Sequence, residues 1–154
     1  MHYDPSIDGS RLAYLLALAP PGAPSVFHTL GFRQTAWSAG ESTMEWNATP
    51  EYGFPTPGGH VIHAGLVTAI LDHAMGGACY TVLGEDEVFM TADLRVEFYR
   101  PSSPGLLRAK GRVVRRSAKV VFCAAELFNA DGANLAASRC TEVVLPMPAS
   151  QQTN

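Results

Sequence analysis

His63 and Asp72 stand nine residues apart within an apolar stretch that is flanked by glycines. The neighbours of Asp72 are almost all apolar, so the sequence predicts that its carboxylate lies on a largely buried helix. Carboxylates are seldom buried unless they are paired or used, because removing a charge from water is costly. The Asp72 carboxylate is therefore predicted to serve chemistry rather than solubility.

The spacing of these two residues indicates a site that is shared between two copies of the chain. A helix rises about 1.5 Å and turns about 100° per residue, so His63 and Asp72 are about 13 Å apart and point to opposite faces. One helix therefore cannot bring its N-terminal amides and Asp72 to the same substrate atom. Two antiparallel copies across a twofold axis can do so, and we expect that arrangement.

The composition indicates one folded domain in a reducing compartment. The chain has 154 residues, of which 47% are hydrophobic and 16% charged, so it can bury a core and is too apolar to be disordered. The net charge of −3 argues against nucleic-acid binding. Cys79, Cys123 and Cys140 have neither metal-site nor disulfide spacing, which favours free thiols and a cytoplasmic location. No run reaches the roughly 18 apolar residues of a membrane span.

The apolar run Leu12–Ala19 has two interpretations, a signal peptide or a short helix that packs on the domain. Asp4 and Asp8 precede the run and Arg11 is the only basic residue there, which disfavours a signal peptide. A helix over 11–19 is the preferred interpretation. We expect an N-terminal helix and linker over 1–25, one domain over 26–146 and a flexible tail over 147–154.

The elements that must position Asp72 follow from periodicity and turn residues. An alternating stretch predicts a half-buried strand, and a long apolar stretch bounded by glycine predicts the central helix. The fold class is therefore α+β, a long antiparallel β-sheet wrapped around one central α-helix, with a short N-terminal helix. The predicted elements are strands at 26–37 and 41–47, a loop at 49–59, a helix at 62–82, and strands at 88–98, 106–116, 118–129 and 133–145.

This order of elements, with its motifs, resembles the hotdog-fold acyl-CoA thioesterases, in particular the 4-hydroxybenzoyl-CoA and phenylacetate-pathway branch. The resemblance covers roughly residues 26–146. The motifs that carry it are His63-Ala64-Gly65 at the helix start, Asp72 nine residues after the histidine, Arg95 to Pro101 at a strand end, the following Gly105, and Asp131-Gly132 before the last strand.

The resemblance implies hydrolysis of an acyl-CoA thioester to a carboxylic acid and coenzyme A. The backbone amide of Ala64, with that of Gly65, would form the oxyanion hole at the positive end of the helix. Asp72 of a second subunit would attack the carbonyl carbon or activate water, and both roles are open. His63 would orient the loop or the interface, or take part directly. Coenzyme A is part of the substrate, so neither a cofactor nor a metal is implied.

The chain departs from the family pattern at two positions. Ala64 replaces the first glycine of the family motif, and Pro57 stands where many relatives carry an Asn or Gln that orients the nucleophile or water. That role is either missing here or filled by another group, for which His60 is the candidate. These departures keep a second hypothesis open, a non-catalytic acyl-CoA binding or sensing module. A hydratase or dehydratase, a metal site at His60, His63 and Asp72, and a serine hydrolase are weaker, because the required spacing, third ligand or nucleophilic serine motif is missing.

Three cations close to a predicted hairpin turn, Arg115, Arg116 and Lys119, are candidates for binding the phosphates of coenzyme A. The alternative is a solvated outer face of the sheet. A small curved sheet leaves exposed edges, and related proteins close them by pairing subunits. We therefore expect a homodimer, and from dimers a tetramer, that binds an acyl-CoA but neither nucleic acid nor membrane.

Overall fold

A computed structural model describes residues 11, 12, 15 and 19–148 of the chain. It confirms the predicted α+β architecture, in which a six-stranded antiparallel sheet wraps around one helix of 17 residues. The elements in chain order are α1 Val26–Leu30, β1 Arg33–Ser38, β2 Glu41–Ala48, a 3-10 turn Pro50–Tyr52, β3 Gly53–Thr56, β4 Gly59–Ile62, α2 Ala64–Tyr80, β5 Glu87–Phe98, β6 Gly105–Arg116, β7 Val120–Asn129 and β8 Asn134–Pro146.

The large sheet has the strand order β1-β2-β6-β7-β8-β5, and β3 and β4 form a separate hairpin. The 12-residue strand β5 is therefore an edge strand, since it pairs with β8 alone. Its register with β8 shifts between Thr91 and Asp93, which leaves Ala92 without a partner. Such bulges re-aim side chains locally, and this one lies beside the part of α2 that carries Asp72.

Helix α2 packs closely on the sheet because small residues allow it. A Cβ atom added to Gly111 of β6 would lie 2.1 Å from the carbonyl oxygen of Ala74. On the helix itself, a Cβ at Gly77 would lie 2.5 Å from the hydroxyl oxygen of Ser42. The buried face of α2 is apolar, and its buried residues are Val67, Ile70, Leu71, Ala74, Met75, Gly76, Gly77, Ala78 and Cys79.

The predicted strand over 26–37 is wrong in its first half, where the chain forms α1 instead. The Ser25 side chain accepts a hydrogen bond from the amide of Phe27 and caps the helix start. Gly31, at φ 76°, ends the helix in the left-handed conformation that glycine adopts without strain. These two caps override the strand preference of the residues between them.

The predicted loop over 49–59 is also wrong, because most of it is ordered as the 3-10 turn and the β3–β4 hairpin. Two backbone hydrogen bonds fix the segment that leads from the hairpin into α2. The amide of His63 donates to the carbonyl of Tyr52 at 3.0 Å, and that of Ile62 donates to the carbonyl of Ser102 at 2.8 Å. The segment before α2 is thus held between the 3-10 turn and the β5–β6 connection.

The predicted helix over 11–19 falls mostly outside the described residues, and the division at 25/26 and 146/147 stays a prediction. Arg11 is buried, and its guanidinium donates to the carbonyls of Gly84, Glu85 and Glu87 between α2 and β5. The amide of Met147 donates to the carbonyl of Asp86 at 2.7 Å. No helix in the described part of the chain is both long and apolar enough to cross a membrane.

Candidate active site

The N-terminus of α2 is capped by the side chain of His63. Its Nδ1 accepts a hydrogen bond from the amide of Gly65 at 2.8 Å, so a neutral ring carries its proton on Nε2. The carbonyl of His63 accepts from the amides of Leu66 and Val67. A Cβ at position 65 would lie 2.9 Å from Nδ1, which explains the glycine two residues after the histidine. Of the two predicted oxyanion donors, the amide of Gly65 is therefore engaged.

The amide of Ala64 is the free donor at this end of the helix. Within residues 11–12, 15 and 19–148 no acceptor takes its N–H, and the residue is exposed. A cavity of about 310 Å³ lies beside it, with apolar lining from Val67, Phe98 and Pro101. A free amide at the positive end of a helix stabilises negative charge, and an apolar wall strengthens that interaction. This corner suits a carbonyl oxygen that becomes an oxyanion.

Asp72 lies in the middle of α2, half-buried at the border of the packed face. The Thr91 hydroxyl donates a long hydrogen bond of 3.5 Å to its Oδ1. Burial raises the pKa of Asp72 above its ordinary value, although the charge of His73 and the hydrogen bond from Thr91 oppose that effect. A carboxylate in this environment is a stronger base than one in water.

A second carboxyl group, Glu142, lies fully buried on β8 next to Thr91. Thr91 and Glu142 are directly paired residues of β5 and β8. The sequence reasoning missed both. Glu142 could have been found by the signal that revealed Asp72, an acidic residue in an apolar run, here before Val143 and Val144. Thr91 had no such signal, because it fell on the polar face of an alternating strand.

Neither His73 nor His60 forms a hydrogen bond with the Asp72 carboxylate among the described residues. His73 Nδ1 donates to the carbonyl of Ala69 at 2.8 Å, and its ring packs edge-on against Phe27 at 4.7 Å and Phe32 at 5.2 Å. His60 is exposed on β4, opposite Pro55. Among the residues that the structure describes, no three His, Cys, Asp or Glu side chains are grouped so as to hold a metal ion.

The three predicted phosphate-binding cations lie at the β6–β7 turn. Arg116 forms an ion pair with Glu87, while Arg115 and Lys119 are exposed. The turn is about 36 Å along β6 from the strand start near Ser102, by about 3.3 Å per residue. One chain therefore does not bring these cations together with its own Ala64 amide.

Three comparisons with known proteins agree with this architecture. The chain is 29% identical over 97 residues to the medium/long-chain acyl-CoA thioesterase YigI of Salmonella typhimurium; the match covers 54% of this chain and 63%, less than two thirds, of that relative. A thioesterase family protein from Silicibacter pomeroyi superposes with a TM-score of 0.74 at 23% identity, over 88% of this chain and 96% of that one. A putative thioesterase from Ralstonia eutropha, described as related to phenylacetic acid degradation, gives 0.72 at 28% identity, over 85% and 97%.

The sequence profile of the thioesterase superfamily matches residues 59–136, which is half of the chain. That range runs from β4 to the start of β8, so it contains α2 with both Ala64 and Asp72 and stops before Glu142. The predicted hotdog fold is confirmed by the structural likeness. The chain belongs to the thioesterase superfamily.

Proposed function

We propose that the protein hydrolyses acyl-CoA thioesters to a carboxylic acid and coenzyme A at a site shared between two subunits. Membership of the thioesterase superfamily supports thioester hydrolysis in general. The finer proposal rests on the positions of two functional groups along α2. A free amide lies at residue 64 and a half-buried carboxylate lies at residue 72, about 12 Å further along the axis.

In this proposal the thioester carbonyl oxygen accepts the N–H of Ala64. As a nucleophile adds to the carbonyl carbon, that oxygen gains negative charge, which the amide and the positive helix end stabilise. The capping bond from Gly65 to His63 holds the first helical turn in place. Its role is to keep the Ala64 N–H directed outward, so His63 and Gly65 position the donor rather than react.

Asp72 of the partner subunit supplies the nucleophile. It either attacks the carbonyl carbon, giving an anhydride that water then cleaves, or takes a proton from a water molecule that attacks instead. In both routes the C–S bond breaks, coenzyme A leaves as the thiolate and is protonated, and the acyl group leaves as a carboxylate. The raised pKa of Asp72 favours either route, since it makes the carboxylate more basic.

The dimer that this site requires is supported by the exposed edge of β5. Met90 and Phe98 on this strand are 59% and 49% exposed, which is unusual for large apolar side chains on a long sheet edge. Antiparallel pairing of two β5 strands would cover that edge and place two α2 helices side by side. Assembly into a tetramer and a cytoplasmic location are further proposals of the same kind.

Arg115 and Lys119 are the proposed contacts for the phosphates of coenzyme A, because both are exposed and neither forms an ion pair with a described residue. Arg116 is a weaker candidate because Glu87 already neutralises it. The cavity beside Ala64 is apolar and of a size for an acyl group. Aliphatic and aromatic acyl groups are both suggested, by the Salmonella and Ralstonia relatives respectively.

The test is thiol release from a panel of aliphatic and aromatic acyl-CoAs, with wild type and Asp72→Asn measured side by side. Release by the wild type that disappears in the variant would support the proposal. Absence of release from every ester, with binding of the esters still detected by calorimetry, would replace it with a non-catalytic acyl-CoA binding module. Undiminished release by Asp72→Asn would remove Asp72 from the mechanism.

A further inference from the structure

Glu142 has a buried carboxyl group that forms no ion pair with any residue in the described part of the chain. The residue is 0% exposed, and its Oε1 accepts a hydrogen bond from the Cys140 thiol at 3.1 Å. Its Oε2 is buried and forms no hydrogen bond of good geometry with any described residue. A carboxylate in such a place is disfavoured, because a hydrogen bond from one weak thiol donor repays little of the hydration that it loses.

The groups around Glu142 also oppose a charge there. Asp72 on α2 and Asp93 on β5 are acidic, and Tyr80, Cys123 and Cys140 face it as neutral groups. Burial raises the pKa of Glu142 most, the charges of Asp72 and Asp93 raise it further, and the hydrogen bonds of Cys140 and Thr91 act in the opposite direction. Burial has the largest effect, so the pKa of Glu142 lies above its ordinary value.

The Thr91 hydroxyl links the two carboxyl groups. It lies close enough to act on the pKa of both Asp72 and Glu142, but its single proton points to Asp72 Oδ1. A hydroxyl that donates to one neighbour can only accept from the other. A protonated Glu142 can donate to it and thereby satisfy the otherwise orphaned Oε2, whereas an ionised Glu142 would offer a second acceptor to a hydroxyl with no proton left.

We propose that Glu142 is held as a neutral carboxylic acid whose O–H donates to Thr91, so that Thr91 donates to Asp72. Glu142 is thus a positioning residue for Asp72. The chain orients the Asp72 carboxylate and, by mutual polarisation of its bonds, strengthens the weak hydrogen bond from Thr91. It also keeps two neighbouring carboxyl groups from ionising together. The role of Asp72 in turnover rests on the proposed function, but the protonation of Glu142 does not.

The first test is infrared difference spectroscopy at neutral pH, which needs no substrate. The wild type should show the carbonyl band of a protonated carboxyl group, and that band should be missing in Glu142→Gln. In Thr91→Val the band should persist and move to higher frequency, because its hydrogen-bond acceptor is lost. Thr141→Val, the same isosteric change at the residue before Glu142 on β8, should leave the band in place. Loss of carboxylate bands alone in Glu142→Gln would overturn the proposal.

The second test is the acid limb of the pH profile of kcat/KM, where Asp72 becomes protonated. The amide of glutamine can still donate, so Glu142→Gln should lower kcat/KM by less than about threefold and leave the acid limb in place. Thr91→Val should lower it about tenfold and move the limb to higher pH, since the charged form of Asp72 loses a hydrogen bond. A limb that moves to lower pH in Glu142→Gln would mean that Glu142 is ionised in the wild type, against the proposal. If the wild type releases no thiol, the proposed function fails, and the infrared test still decides the state of Glu142.

Discussion

Ala64→Pro removes the backbone N–H at the first position of α2 and changes little else. Proline is well tolerated at the first helical position, where its fixed φ suits the helix. The preceding residue, His63, has ψ 128°, which lies within the range that a residue before proline prefers. The Ala64 N–H donates to no described residue, so its loss breaks no hydrogen bond within residues 11–12, 15 and 19–148. The variant should therefore fold, with an unfolding temperature no lower than that of the wild type.

The expected effect on turnover is large, because the missing donor acts on charge that develops only in the transition state. Removal of one oxyanion-hole donor raises the barrier by about 2.7–4 kcal/mol, which is a fall of about 10²–10³ in kcat. KM should change little, since the ground-state carbonyl is only weakly bound by this contact. Ala64→Gly is the matched control, because it keeps the N–H and restores the residue of the family motif. It should stay within about threefold of the wild type.

The assay is thiol release under saturating acyl-CoA, with thermal unfolding of each variant recorded in the same buffer. A kcat for Ala64→Pro within threefold of the wild type would refute the assignment of the oxyanion donor to Ala64. An equal loss in Ala64→Gly would show that the methyl group rather than the N–H matters, and would refute it as well.

Three further outcomes follow from the same contacts. Asp72→Asn should lower kcat by about 10²–10⁴-fold. Because burial raises the pKa of Asp72 in the folded state, the ionised side chain destabilises the wild type at neutral pH, and the variant should unfold at a higher temperature there. This difference in unfolding temperature should vanish as the pH falls to 3.8, the ordinary pKa of the group. Gly65→Ala should clash with the His63 ring and lower the free energy of unfolding by about 0.5–2 kcal/mol, as measured by denaturant unfolding. The double variant His63→Ala/Gly65→Ala should be no less stable than His63→Ala alone, because the ring that the new methyl group meets is then absent. Met90→Lys on the β5 edge should give a monomer by light scattering and abolish thiol release, whereas Val114→Lys, at another exposed apolar residue on β6, should change neither. An active monomer would contradict the shared site.

The parts of the fold that could be predicted from sequence are those with a long periodic signal. Helix α2 and strands β5 to β8 each contain ten or more residues, so a pattern over that length seldom arises by chance. Helix α1 has five residues, and its strand-forming side chains are overruled by caps at Ser25 and Gly31. The β3–β4 hairpin was hidden by its proline and glycine content. Pro55 is compatible with a strand here because the hairpin is short and lies outside the main sheet.

The candidate site was predictable only where a single residue carries the signal. Asp72 stands out as a charge among apolar residues of one helix, and this signal needs no knowledge of which strands pack beside the helix. Thr91 and Glu142 depend on strand register, and the bulge at Ala92 that sets this register leaves no mark in the alternation of the sequence. The family match ends at residue 136, so it carries no information on Glu142.

The surroundings of Asp72 suggest why Glu142, which is linked to it through Thr91, is a neutral acid rather than a cation. An arginine or lysine beside Asp72 would lower its pKa and make it a weaker base. Thr91 holds the carboxylate by a hydrogen bond without adding charge, and a protonated Glu142 orients Thr91 in the same way. In the proposed dimer the partner subunit would cover the exposed half of Asp72 and remove more of its water, which raises its pKa further. The subunit contact would then bring the Ala64 amide of one chain to Asp72 of the other and, at the same time, make that carboxylate a stronger base. An isolated chain would have neither the amide beside Asp72 nor the additional burial of its carboxylate.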